Sequence, residues 1–248
     1  MERQAGMRTG EKNLLLKETQ IAVQEIATMS GKDLMKARRS GIILALDVTS
    51  RSEAVRIALE TADFIDAIKV GYPLVLSTGI DVISELGELG KPIIADFKVA
   101  DVPHVSSEIC RIAVEAGAGY VIIQGILGED VLKACSKEAD LFVVADMSHP
   151  GALEFIAQHN EEISVLAKRY AKGIVAPATR PQIIKTLRRI VGGLIIISPG
   201  VKAQGGKVGS AIAAGADFEI VGRAIYNRAD PRLEAERIYN QLKRRRKR

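Results

Sequence analysis

A short charged stretch follows an apolar run near the middle of this chain. Residues 92 to 95 are apolar, and they are followed by Asp96, Lys98 and Asp101. Side chains two residues apart share one face of a strand, so we expect Asp96 and Lys98 to project together, with Asp101 in the loop beyond. An unpaired carboxylate or ammonium costs roughly several kcal/mol to bury, so buried charges pair with one another or act on a bound molecule. The stretch therefore predicts either a structural ion pair or a catalytic group at a strand end.

The elements that would position these charges recur along the chain. Short runs rich in Val, Ile and Leu alternate with amphipathic segments of helix length, for example at 52–62, 105–116 and 181–191. Continuous apolar runs indicate strands covered on both faces, and helix-sized intervals indicate right-handed crossovers. We therefore predict the α/β class and a parallel (β/α)8 TIM barrel, with an open doubly wound sheet as the alternative. The eight predicted strands are 41–46, 65–70, 92–97, 120–123, 141–145, 173–176, 194–197 and 218–221.

Polar residues gather where these predicted strands end. In a parallel barrel all strand ends meet at one mouth, the C-terminal face where barrel enzymes have their active sites. The pattern thus favours an enzyme whose site is built from several strands. In chain order the residues at the strand ends are Asp47, Lys69, Asp96 with Lys98, Gln124, Asp146, Pro177, Ser198 and Gly222.

A glycine-rich loop over residues 198 to 209, here called the phosphate loop, follows the seventh predicted strand. The eighth strand ends at Gly222, and Arg223 then begins a short helix. In barrels these two loops and a helix N-terminus commonly hold a phosphate, since free amides point at the anion and an arginine can bind two oxygens. A mobile loop with glycine hinges is the alternative, and it is compatible with a loop that closes over phosphate.

Composition limits the remaining possibilities. The chain has 248 residues, of which 47% are hydrophobic, which suits one large α/β domain. No stretch approaches the roughly 20 apolar residues of a membrane helix, and no segment resembles a signal peptide. Cys110 and Cys135 are too few for a disulfide framework, so we expect a reducing cytoplasm.

The net charge of +5 comes from the C-terminus, because the last six residues are all basic and leave the rest of the chain at −1. Aromatic residues make up only 4% of the chain and none lies in this tail, so nucleic-acid binding is disfavoured and the tail is interpreted as a solvated terminus. We predict an N-terminal helical extension over residues 1–40, a catalytic barrel over 41–242 and a basic tail over 243–248.

The motifs together resemble a known family. The pattern Asp96-x-Lys98-x-x-Asp101, with Asp47 and Lys69 ending the first two strands, resembles the archaeal type of orotidine 5'-phosphate decarboxylase. The resemblance covers about residues 41 to 240, and the order of the motifs along eight strands makes it specific. The further matching motifs are Met147-Ser148-His149-Pro150-Gly151, Ser198-Pro199-Gly200, Ala203-Gln204-Gly205-Gly206 and Val221-Gly222-Arg223.

This resemblance implies an activity and roles for matching residues. It implies cofactor-independent and metal-free decarboxylation of orotidine 5'-monophosphate to uridine 5'-monophosphate in pyrimidine biosynthesis. Lys98 would protonate C6 of the pyrimidine from an alternating chain with Lys69, Asp96 and Asp101. A homodimer follows, because Asp101 would reach the neighbouring subunit's site. Asp47 and Lys69 would contact the ribose hydroxyls.

The resemblance also implies a set of binding residues around these charges. Ser148 would contact the pyrimidine edge, and Gln204 and Arg223 would bind the phosphate. The other residues expected to contact the nucleotide are Val102, Val105, Ser106, Pro199, Gly200, Gly205, Gly206 and Gly222.

Two positions depart from the family's pattern. Val105 stands where a threonine often supplies a hydroxyl near the ribose, and Ser106 follows as a substitute. Ala178 stands where a serine is common. Neither change touches the charged chain, so we expect changed affinity rather than a lost reaction.

Two alternatives remain open. A magnesium-dependent sugar-phosphate enzyme of the same superfamily, such as hexulose-phosphate synthase or keto-gulonate-phosphate decarboxylase, would have an acidic residue at the position of Lys69, where a cation repels a divalent metal. A non-catalytic barrel that binds nucleotides or RNA through the basic tail would show steeply salt-dependent binding.

Overall fold

Eight parallel strands, each hydrogen-bonded to the next in chain order, form a closed barrel in the computed structural model, which describes residues 34 to 246. Pairing of β1 with β8, with Ile42 opposite Glu219, closes the barrel. The predicted (β/α)8 barrel is confirmed. The strands are β1 Ile42–Leu46, β2 Ala67–Gly71, β3 Ile93–Val99, β4 Tyr120–Gln124, β5 Leu141–Val144, β6 Gly173–Val175, β7 Ile195–Ser198 and β8 Phe218–Val221.

Almost every strand residue is buried, because side chains on one face fill the barrel and those on the other face pack against helices. This double burial explains why the strands appear in the sequence as continuous apolar runs. The helices are α1 Arg51–Thr61, α2 Tyr72–Thr78, α3 Val82–Gly87, α4 Pro103–Glu115, α5 Glu129–Cys135, α6 Asn160–Tyr170, α7 Pro181–Val191, α8 Ser210–Ala213, α9 Arg223–Tyr226 and α10 Pro231–Arg246. Short 3-10 helices cover Ala62–Phe64, Gly125–Leu127, Pro150–Glu154 and Ile156–His159.

Helix α7 illustrates how the sequence forms the outer layer. Its buried residues Ile184, Leu187 and Val191 recur at three-and-four spacing, so one face packs on the barrel. A proline in its first turn lacks only an amide that would have no partner within the helix. The predicted helix at 181–191 has these bounds, and the predictions at 52–62 and 105–116 differ from α1 and α4 by one or two residues at each end.

A buried carboxylate fixes the polypeptide just before it enters β1. Asp66 accepts main-chain hydrogen bonds from Arg39 at 3.0 Å, Ser40 at 3.0 Å and Gly41 at 2.6 Å. These bonds hold the chain just before β1, and Leu34 is fully buried nearby in sequence. Most of the predicted helical extension over residues 1–40 lies outside the described residues.

The C-terminal boundary predicted at residue 242 falls inside a helix. Helix α10 continues to Arg246, so residues 243 to 246 belong to a regular element, whereas residues 247 and 248 lie outside the described residues. The basic residues extend a helix whose earlier turns pack through Ala235, Ile238 and Leu242. Between residues 34 and 246, no helix combines the length and apolarity that spanning a membrane requires.

Candidate active site

The ends of the first three strands bring four charged side chains together. The ammonium of Lys69 donates to Asp96 Oδ2 at 2.7 Å, and that of Lys98 donates to Asp96 Oδ1 at 2.8 Å. Asp47 Oδ1 lies 3.5 Å from the Lys69 nitrogen. The result is an alternating chain of Asp47, Lys69, Asp96 and Lys98, here called the charged chain. Parallel pairing produces it, since adjacent strands end at the same mouth.

Burial and neighbouring charges have opposite effects on the pKa values of Lys69 and Asp96 in the charged chain. The side chains of Lys69 and Asp96 are each 8% exposed, whereas that of Lys98 is 39% exposed. Burial disfavours the charged form of Asp96, but Lys69 and Lys98 outweigh it and hold the pKa of this carboxyl below its usual value. Burial likewise opposes the charge on Lys69, but Asp96 and Asp47 outweigh it and raise the pKa of this ammonium. Both groups are therefore ionised before any ligand binds.

Lys98 has a strained backbone. Its φ is +41°, in the left-handed region that costs a residue with a side chain roughly 1–2 kcal/mol. The pairing of β3 with β4 also shifts register between Ala95 and Val99, so a bulge surrounds this lysine. Bulges and strain of this kind commonly direct side chains at functional sites. Here the ammonium lies back over the carboxylate of Asp96.

Asp101, in contrast, does not join the charged chain in this protomer. Its carboxylate is exposed and accepts a hydrogen bond from the amide of Val102 at 2.7 Å. Val102 is 60% exposed and Val105 is 39% exposed, and neither lines the cavity. The Ser106 hydroxyl is fully buried and donates to the Asp101 carbonyl at 2.7 Å, so it fixes the loop rather than facing the cavity.

A cavity of about 280 Å³ opens at the C-terminal mouth of the barrel. The charged chain forms one side of it, and Ser148 lies in its wall. Residues of the phosphate loop and the start of α9 form another part of the wall. Of the predicted phosphate-side residues, those lining the cavity are Pro199, Gly200, Gln204, Gly222 and Arg223.

The phosphate loop is folded back on itself. The amide of Gly206 donates to the Gly200 carbonyl at 3.0 Å, and the amide of Lys202 donates to the Gly206 carbonyl at 2.7 Å. Gly200 has φ +101°, a backbone conformation that strains a residue with a side chain, so this position favours glycine. Gly205 and Gly206 do not line the cavity but shape the turn that presents Gln204.

The structure adds one ion pair that sequence reasoning missed. Arg180, just before α7, donates to Asp146 Oδ1 at 2.7 Å and also contacts the Met147 carbonyl. Asp146 is fully buried and lines the cavity. Its place at a strand end was visible in the sequence, but no spacing rule connects it with an arginine from the next strand's loop.

Tyr226 is a second missed residue. It lines the cavity, and burial together with the nearby Asp47 carboxylate raises its pKa. It follows Arg223 by three residues in α9, so helical spacing could have placed both on one face. His149 and Met147 also line the cavity.

Within the part of the chain that the structure describes, no cluster of three His, Cys, Asp or Glu side chains could hold a metal ion.

Comparison with known proteins decides the family. A sequence profile of the orotidine 5'-phosphate decarboxylase / HUMPS family matches residues 40 to 238. The chain belongs to this family. The membership predicted from the motifs is confirmed, and the match begins close to the predicted start of the barrel.

Relatives from archaea match over nearly their whole length. Orotidine 5'-phosphate decarboxylase of Methanosarcina barkeri is 53% identical over 208 residues, covering 81% of this chain and 94% of the relative. The Pyrococcus abyssi protein of the same name is 44% identical over 205 residues, covering 82% and 99%. The solved structure of the Methanocaldococcus jannaschii orotidine 5'-monophosphate decarboxylase complexed with the inhibitor BMP has a TM-score of 0.78 at 41% identity, covering 81% of this chain and 97% of that one.

Proposed function

We propose that this chain catalyses the reaction for which its relatives are named, with Lys98 as proton donor and without a cofactor. The reaction converts orotidine 5'-monophosphate into uridine 5'-monophosphate and carbon dioxide during pyrimidine biosynthesis. The observation that carries the proposal is the charged chain at the cavity, in which the Lys98 ammonium lies 2.8 Å from Asp96 on a strained strand end. Membership of the family indicates the substrate, and the charged chain explains how the reaction could be catalysed.

The reaction needs a cation and a proton at one carbon. When the bond from C6 to the carboxyl group breaks, its electron pair remains in an orbital in the ring plane and cannot spread into the π system. A fixed ammonium stabilises this pair, and transfer of one of its protons to C6 completes the product. Lys98 performs both steps in the proposal, and its neutral amine then regains a proton from water.

The other charges prepare the site. Asp96 holds both lysines in place, and Lys69 keeps Asp96 ionised. This arrangement exists before the substrate binds, so little reorganisation is needed during the reaction. Repulsion between Asp96 and the substrate carboxylate adds to the effect but ranks below the fixed charge of Lys98.

Phosphate binding supplies further stabilisation. Enzymes lower barriers by about 8–23 kcal/mol, and one ammonium cannot reach the upper end of that range. In the proposal, Gln204 and Arg223 grip the phosphate, and the phosphate loop closes over the ring. Binding energy from this remote group then contributes to the rate.

A homodimer is part of the proposal. Asp101 lies two residues after β3 and stays outside the cavity of its own protomer, and exposed apolar residues lie next to it in sequence or in α2, the helix that follows β2. Leu76 is 80% exposed, Val102 60% and Tyr72 44%. Pairing of two such surfaces would bury them and carry Asp101 toward the partner's charged chain.

Both cysteines are free, which fits the cytoplasmic location that we propose.

The direct test follows the loss of orotidylate absorbance with and without EDTA. We expect turnover that the chelator does not change. Turnover of a sugar phosphate that EDTA abolishes, with no loss of orotidylate, would establish the magnesium-dependent alternative instead. Binding of RNA without any turnover would establish the non-catalytic alternative.

A further inference from the structure

A lysine of the phosphate loop forms an ion pair with the C-terminal helix. The Lys202 ammonium contacts Glu234 Oε1 in the first turn of α10. The Glu234 side chain is 11% exposed and that of Lys202 36%, so the carboxylate is largely shielded from water and the ammonium is partly exposed. Arg237 lies 3.6 Å from the other oxygen of Glu234 and is 67% exposed. The carboxylate is thus held between the loop and its own helix.

This ion pair connects the two segments that are predicted to bind the phosphate. Gln204 lies on the phosphate loop two residues after Lys202, and Arg223 begins α9. Helix α10, which carries Glu234, begins at Pro231, shortly after α9 ends at Tyr226. The contact therefore connects the loop that carries Gln204 to the segment that carries Arg223, and helps to fix the distance between these two residues.

The same helix also contacts the far end of the loop. A Cβ at Gly209 would lie 2.6 Å from the Arg245 Cδ, so the arginine side chain covers this glycine. The amide of Gly209 donates to the buried Glu219 at 2.8 Å, which anchors the end of the loop to β8. Helix α10 itself packs on the barrel through Ala235, Ile238 and Leu242, which are buried in the hydrophobic core. It can therefore act as a fixed support.

The loop needs such a support because its sequence gives it many conformations. Gly200, Gly205 and Gly209 all have positive φ, and Lys202 adopts φ +57°. Glycine loses more conformational freedom on ordering than any other residue, and ordering a loop on binding weakens affinity. An ion pair that already restricts the loop lowers this cost.

We propose that Glu234 is a positioning residue for phosphate binding. Through Lys202 it holds the phosphate loop beside Arg223 before the substrate arrives. The inference rests on the proposed function, in which that loop binds the phosphate of the nucleotide. It predicts that breaking the pair raises KM for the nucleotide while kcat changes little, because the ion pair acts on the loop and not on the reacting carbon.

The experiment compares Glu234→Gln and Lys202→Ala with Glu236→Gln, a matched control at an exposed carboxylate of the same helix. We expect each of the first two to raise KM for orotidylate about fivefold with kcat within about twofold, and the control to leave both unchanged. The charge exchange Lys202→Glu with Glu234→Lys should restore KM to within about twofold of the original value. Slow turnover of orotidine, which lacks the phosphate, should be the same in all variants at high enzyme concentration.

Three results would overturn the inference. The first is a KM for Glu234→Gln equal to that of the control. The second is a KM raised by Lys202→Ala alone, because the lysine would then attract the phosphate directly. The third is an equal loss of orotidine turnover, which would indicate general damage to the fold. Arg223→Ala separates this test from the proposed function. If Arg223→Ala leaves kcat/KM unchanged, the assignment of the phosphate site itself is wrong. If Arg223→Ala lowers kcat/KM but Glu234→Gln leaves KM unchanged, only the role of Glu234 is wrong.

Discussion

Asp96→Asn removes the carboxylate that lies between two ammonium groups. Asp96 accepts from Lys69 at 2.7 Å and from Lys98 at 2.8 Å. At an effective dielectric constant of about 20, each contact corresponds to roughly 6 kcal/mol of gross attraction, most of which desolvation offsets. After the substitution, Lys69 stays buried, and its remaining carboxylate partner among the described residues is Asp47, at 3.5 Å and 38% exposed. Breaking a buried pair costs about 3–5 kcal/mol, so we expect the free energy of unfolding to fall by about 3 kcal/mol at pH 7.

The same substitution should change the pH dependence of stability. The pKa of Asp96 is lowered in the folded state, so its stabilisation is complete above the usual carboxyl pKa and is lost as pH falls through the lowered value. The pKa of Lys69 is raised, so its contribution is complete below its usual value of 10.5 and is lost as pH rises through the folded value. The difference between the original protein and Asp96→Asn should therefore be largest near neutral pH and shrink below about pH 4.

Urea unfolding followed by circular dichroism measures this difference at pH 7 and at several values below about pH 4, where the Asp96 contribution is lost. Protein concentration is held constant, because the proposed dimer makes apparent stability depend on it. Asp140→Asn is the matched control, since Asp140 lies 3.7 Å from Lys172 in a pair whose side chains are 34% and 59% exposed. We expect the control to lose less than about 1 kcal/mol. A loss for Asp96→Asn no larger than that of the control, or one independent of pH, would refute the reasoning.

Three further outcomes follow from the site. Lys98→Ala should bind the nucleotide but lose nearly all decarboxylation, and substantial product formation would contradict its role as proton donor. Lys98→Gly should be equally inactive yet about 1 kcal/mol more stable to urea than Lys98→Ala, because glycine accepts φ +41° without strain; equal stabilities would argue against that strain. Arg223→Ala should lower kcat/KM about thirtyfold or more at unchanged Tm, because a charged hydrogen bond to the phosphate is lost; an unchanged kcat/KM would contradict the assignment.

The barrel was predictable because its strands are buried on both faces. The continuous apolar runs give the strand positions to within about two residues, and β8 has the predicted bounds. The largest differences arise where polar residues intervene. Strand β2 begins after Asp66, whose side chain binds main-chain amides. Strand β3 extends past its apolar run because Lys98 continues it through a bulge.

The charged chain was predictable for a related reason. Residues at the ends of parallel strands meet at one mouth, so Asp47, Lys69 and Asp96 could be placed together from strand order alone. The pair of Arg180 and Asp146 could not, because it depends on how far a long side chain reaches across neighbouring loops. The backbone strain at Lys98 had no sequence signal either, since lysine is not a residue that favours positive φ.

The two sides of the cavity are built in physically different ways. The charged chain stands on buried strand ends, where Asp96 and Lys69 are each 8% exposed and already paired, so its geometry changes little on binding. The phosphate side is a glycine-rich loop, which can close but must lose conformational freedom to do so. Rate enhancement from remote phosphate binding is therefore limited by how well that loop is ordered beforehand. A contact such as that between Lys202 and Glu234, far from the reacting carbon, can for this reason influence kcat/KM without changing the chemistry at Lys98.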